Sequence, residues 1–159
     1  MENICKICYS DPGSHSFSLL CTYNDNNQEV HLFYTRIADS KRYNDKNGIL
    51  KHYENYLNFI NPVSWTWIID FDDFQLKHSL ELSTTIGLSK LVKKFGRVNK
   101  IIIINQSKYL KYLLEVVKPF IGNLNEKITI FEKNNKDKLH KLLNDLNFEK
   151  EYIDFLMKC

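Results

Sequence analysis

Apolar and polar residues alternate in two stretches near the start of the chain. Phe17, Leu19, Cys21 and Tyr23 stand against Ser18, Leu20 and Thr22, the period-two pattern of a strand. Val30, Leu32 and Tyr34 then stand against His31 and Phe33. The polar run 24–28 between them is dense in turn formers, so the two segments predict a β-hairpin. Positions 36–48 are polar and predict a loop. Ile49, Tyr53, Tyr56, Leu57 and Ile60 recur at helical spacing and predict a helix over 49–59.

Further on the pattern changes. Residues 65–71 form a short, nearly continuous apolar run, 100–104 are a lysine followed by four isoleucines, and 127–131 are another short run. The isoleucine run has the composition of a strand buried on both faces. Helical periodicity fills 79–95, 107–121, 136–146 and 149–157, with Ser107 as a candidate N-cap. Strands alternating with helices predict an α/β fold with a mixed, mostly parallel sheet of about five strands, flanked by helices and extended by the N-terminal antiparallel hairpin. The 159 residues suit a single domain, with its core expected over 15–157 and no separate N-terminal helical domain.

Composition narrows the function. Hydrophobic residues are 43% and charged residues 26%, an ordinary globular balance. The net charge of +3 is carried almost wholly by lysine, with Arg36, Arg42 and Arg97 the only arginines, and acids are interspersed throughout. A nucleic-acid module concentrates its basic charge and favours arginine, so no nucleic acid is expected as a partner. No run reaches the length of a membrane span, and the first residues lack the layout of a secretion signal. The expected location is the cytoplasm, with peripheral contact at membranes as an extension, and the four cysteines are expected as reduced thiols.

Candidate chemistry is sparse. Asp70, Asp72 and Asp73 cluster after a predicted strand, but no His, Ser or Lys stands at a recognisable catalytic spacing, so no enzyme and no cofactor are expected. Asp70 is expected to satisfy nearby backbone N–H groups. Cys5 and Cys8 form a C-x-x-C pair followed by His15 and Cys21. A zinc site would need a second half, and this one is poor, because five residues separate His15 from Cys21 and Cys21 lies on the apolar face of a predicted strand. The expectation is incidental thiols and no metal, with zinc and a redox pair as lesser readings. Lys90, Lys93, Lys94 and Arg97, with Lys100, gather around a predicted helix end. They read either as a solvated face or as a patch for anionic membrane. Lys133, Lys136, Lys138 and Lys141 form a second basic run around Asp137. Pro119 followed by Gly122 marks a kink or an end in the helix over 107–121, with Lys118 at the negative end of its dipole.

Taken as one unit, 65–131 resembles the CRAL-TRIO lipid-binding domains. An apolar strand ends in Asp70, a helix follows, and a second strand ends Ile103, Ile104, Asn105. The next helix closes on Lys118, Pro119, Phe120, and a strand then opens with Lys127 and Ile128. The sequence departs from the family at Asp73 and Ser107, where Gly and Pro are usual, and before the second strand, where only Phe95 and Gly96 remain of a longer motif. These departures make it similar to the short, divergent branch that includes the BCH domains. The resemblance implies binding, and possible transfer, of a lipid or other hydrophobic small molecule. It implies contacts from Phe71, Phe74, Leu76, Leu110, Leu113, Leu114, Val117, Phe120 and Ile121, with Lys118, Pro119 and Gly122 as the hinge of a gate. The alternative it implies is a protein-interaction module, with a small GTPase or a membrane-associated protein as partner and no open pocket. The oligomeric state has no sequence signal.

Overall fold

A computed structural model describes residues 5–158. Its elements follow the predicted order, with informative shifts at their ends. The hairpin pairs β1 (Ser18–Asp25) antiparallel with β2 (Gln28–Arg36). Asp25 faces Gln28 across a two-residue turn in which Asn26 and Asn27 both have positive φ (51° and 64°). Asparagine tolerates that geometry, and the turn's twist matches the strands.

The simple alternation expected of β1 is broken. The register shifts between Leu19 and Cys21, so Phe17 and Leu19 pack on one face of the sheet while Cys21 and Tyr23 pack on the other. An extra residue in one strand reverses the direction of every later side chain. Burial on the second face pushes the Cys21 thiol up to about 11.

Three parallel crossovers follow, each through helix. A short α1 (Lys6–Ser10) precedes the hairpin, and α2 (Lys46–Ile60) joins β2 to β3 (Trp65–Asp70). Helix α2 starts inside the stretch expected as loop, because the Asp45 carboxylate caps it by accepting the Gly48 N–H at 3.1 Å. The helix expected over 79–95 starts later, as α4 (Leu82–Phe95), and a separate short helix, α3 (Leu76–Ser79), precedes it, the two parted where Glu81 leaves helical geometry with ψ 51°. Helix α4 leads to β4 (Val98–Ile104), and α5 (Leu110–Ile121) leads through a 3-10 turn to β5 (Ile128–Ile130). Ser107 is not the N-cap of α5. Its hydroxyl accepts the Tyr109 N–H and donates to the Phe74 carbonyl, both at 3.3 Å, and so ties two loops together. Helices α6 (Lys136–Asp145) and α7 (Lys150–Met157) close the described chain.

Strand order is β1-β2-β3-β4-β5. Sequential parallel strands joined by same-handed crossovers place all their helices on one side, and α4 accordingly packs against both α2 and α5. Period two then sorts the strand residues. Phe33, Trp65, Trp67, Ile101 and Ile103 face α2, α4 and α5. Leu32, Tyr34, Ile68, Ile102 and Ile104 face α6 and α7. No helix among the described residues is long and apolar enough to cross a membrane.

Candidate functional site

The helix-covered front face does not fill completely. A cavity of about 160 Å³ lies between the sheet and helices α2, α4 and α5. Its floor is Thr35, Trp67, Ile69, Ile101 and Ile103, alternate positions on three neighbouring strands. Ile49 and Tyr53 of α2 and Thr84, Leu88 and Val92 of α4 form its walls, with Phe71, Phe74 and His78 at the carboxyl end of the sheet. Helix α5 contributes Leu110, Leu113, Leu114, Val117 and Ile121, a stripe at spacings of three and four.

Seven of the nine candidate contact residues therefore meet around one space. Leu76 and Phe120 do not line it. Leu76 opens the short α3 and is 54% exposed. Phe120 turns its ring toward α4, where the Lys90 ammonium sits 5.3 Å from the ring centroid. Sequence reasoning missed Trp67, Ile101 and Ile103, although their strand alternation with buried neighbours was available. It also missed Tyr53, Thr84 and His78, for which spacing gives no pointer to a cavity.

Most polar groups at the cavity are already committed. The Trp67 indole donates to the Thr35 hydroxyl at 3.0 Å, and Thr35 lies 3.0 Å from the Tyr53 hydroxyl, which donates to the Ser16 carbonyl at 3.2 Å. Full burial raises the Tyr53 phenol above its ordinary value, so it stays protonated. His78 accepts the Gln75 N–H on Nδ1 at 3.0 Å, and burial lowers its imidazole, with Lys77 adding to the effect. It is therefore neutral near pH 7. Thr84 differs. Its hydroxyl is buried without a hydrogen-bond partner among the described residues, whereas the neighbouring Thr85 and Ser89 donate back to carbonyls four residues earlier.

The acidic trio is engaged within the fold. Asp70 is fully buried, accepting from the Tyr34 hydroxyl at 2.7 Å, the Asn105 amide at 2.9 Å and the Asp72 N–H at 2.9 Å. The expected backbone contact is thus present, and two side chains join it. Asp72 bridges Arg36 at 2.9 Å and Lys133 at 3.1 Å, which hold its carboxyl below the usual range. Asp73 accepts from the Gln75 amide at 3.2 Å.

Pro119 lies within the last turn of α5, and Gly122 follows at positive φ (51°), so the chain leaves the helix there for its 3-10 turn. Lys118 is exposed in that turn. Lys90, Lys93 and Lys94 are exposed along α4, and Lys93 points its ammonium toward Gly122. Arg97 is engaged elsewhere, donating to Asn61 at 2.9 Å and to the Pro62 carbonyl at 3.1 Å beyond the end of α2.

In comparison with known proteins, the model of the CRAL/TRIO domain matches residues 14–152. That span takes in the sheet and every wall of the cavity. No curated protein matches the chain.

Proposed function

The chain belongs to the CRAL/TRIO domain family, whose domains bind lipophilic small molecules, and from that premise we propose that it holds one such molecule in the cavity beneath α5. The observation that carries this reading is an almost wholly apolar cavity with a buried hydroxyl, Thr84, on its wall that has no partner among the described residues. Apolar walls reward desolvation of a ligand by about 0.8 kcal/mol per buried methylene. A buried hydroxyl without a partner favours a ligand with one polar atom placed beside it.

Size sets the ligand class. A cavity of about 150 Å³ accommodates a benzene-sized molecule, and drug-sized ligands occupy about 300–1,000 Å³. At about 160 Å³ this cavity fits one ring or a short chain as it stands. A long acyl chain needs α5 to move outward, and the Pro119–Gly122 end, where helical hydrogen bonding is interrupted, is the hinge for that motion. Exposed Lys90 and Lys93 border this end, with Lys94 exposed on the same helix, and suit approach to an anionic membrane, each near-surface lysine contributing about 1 kcal/mol. Chemistry has little support, since Asp70, Asp72 and Asp73 are all engaged within the fold.

Trp67 supplies the test. It lines the cavity, and Trp65→Phe leaves it as the sole indole. Titration with a dansyl-labelled fatty acid is expected to give saturable energy transfer from Trp67 at one ligand per chain. Val117→Phe, which narrows the cavity, is expected to weaken it at least tenfold. Native mass spectrometry should show a co-purifying lipophilic molecule. No saturable transfer and no extracted molecule would sink the proposal and favour the interaction-module reading.

A further inference from the structure

The fold gathers four metal-ligating side chains away from the cavity. Cys5, Cys8, His15 and His52 present their sulfur and Nδ1 atoms within 4.8 Å of one another. They come from three segments: the C-x-x-C pair at α1, the loop before β1, and the middle of α2. The sequence reading expected no metal because it sought a second half close by and met Cys21, which the β1 bulge turns to the far face of the sheet. The fourth group is His52, 44 positions after Cys8.

Geometry and protonation agree on what the cluster is for. His15 Nδ1 lies 3.5 Å from Cys5 Sγ and 3.6 Å from Cys8 Sγ, and His52 Nδ1 lies 3.7 Å from Cys8 Sγ. Around a tetrahedral zinc, with bonds of about 2.3 Å to sulfur and about 2.0–2.1 Å to nitrogen, such ligands stand about 3.6 Å apart. Both imidazoles are oriented from behind. His52 Nε2 is 2.9 Å from the Phe17 carbonyl. A carbonyl only accepts, so Nε2 carries the proton and Nδ1 directs a lone pair at the sulfurs. His15 Nε2 is 3.2 Å from the Asp45 carboxylate, which fixes the same tautomer. Both rings are buried, and the Cys8 N–H points at Cys5 Sγ from 3.5 Å. Gly48 makes room for this outer layer, since a Cβ there would stand 2.0 Å from Asp45 Oδ2 and 2.9 Å from His15 Nε2.

We propose that Cys5, Cys8, His15 and His52 bind one zinc ion as a closed structural site. Two thiolates and two neutral imidazoles neutralise a divalent cation, and binding releases the two thiol protons to solvent. A donor set of two sulfurs and two nitrogens suits zinc, which takes such ligands tetrahedrally. Four protein ligands leave no position for a reacting water, so the ion is a clasp. It ties the N-terminal segment to α2 one residue away from the cavity wall: Ser16 follows His15, and Tyr53 follows His52.

The test uses the full chain purified without added metal. Elemental analysis is expected to give one zinc per chain, and His15→Ala and His52→Ala should each lose it, with His52→Cys restoring it. Chelation should lower the thermal midpoint by about 10 °C or more, reversibly on return of zinc. Cobalt added to the chelated wild-type chain should produce the visible absorption of a tetrahedral thiolate site, saturating at one equivalent. This readout does not depend on any variant folding. The absence of a tetrahedral cobalt spectrum at one equivalent overturns the proposal. Undiminished zinc in folded His52→Ala does the same, since the metal would then belong to the C-x-x-C pair alone.

Discussion

Asp70 shows how one side chain fastens a sheet. It ends β3, and its carboxylate reaches Tyr34 on β2 and Asn105 just past β4, so three strands meet on one buried group. Asn105 can turn back to it because its backbone has positive φ (54°), a geometry that asparagine tolerates. Replacing Asp70 with alanine removes a shared acceptor from a buried phenol and a buried amide and is expected to cost about 3 kcal/mol. Urea unfolding measures it, and a loss under about 1 kcal/mol would show that the contacts carry little stability. The residue itself was legible as an acid closing an apolar run. Its partners were not, because they stand 35 and 36 positions away, and periodicity speaks only of neighbours. Thr84 and His52 were opaque for the same reason, their significance lying in what faces them across the fold.

Helix α5 was the most legible element of the site. Leu110, Leu113, Val117 and Ile121 form a stripe that period 3.6 reveals directly, and all four are buried against the cavity side. Leu114 stands at the edge of that stripe, half-buried yet still lining the cavity. The difference separates packing from gating. Leu114→Asp is expected to leave a folded protein that captures the dansyl fatty acid at least tenfold more weakly. Leu110→Asp, at a position 1% exposed, is expected to prevent folding. Circular dichroism alongside the fluorescence titration tells these outcomes apart, and unchanged capture by folded Leu114→Asp argues against the gate. Strand β1 was read less well, since a bulge leaves no mark on composition. The division between α3 and α4 was hidden because Leu80 and Leu82 continue an apolar pattern across the turn.

Across the whole molecule, the class of fold was legible, but the strand order was not. Apolar runs announce buried strands, yet only the crossover geometry makes the order sequential and sends α2, α4 and α5 to the same side. The rear face is covered mainly by α6 and α7, which supply Leu139, Leu143, Ile153 and Leu156 against Leu32, Ile68, Ile102 and Ile104. A chain ending at residue 135 would expose that rear surface. It is expected to collect in the insoluble fraction on expression and, where soluble, to bind anilinonaphthalene sulfonate strongly. A soluble, dye-free truncation would mean that the sheet is stable with one face bare.

The same sequential strand order bears on how the polypeptide is made. Each βα unit lies beside the one synthesised just before it, so the sheet can grow one strand at a time as the chain leaves the ribosome. The front layer is then complete when β5 emerges, while the rear layer must wait for α6 and α7. For that interval the nascent protein carries an uncovered isoleucine-rich surface, which makes it a natural client for chaperones that bind greasy patches near the tunnel exit.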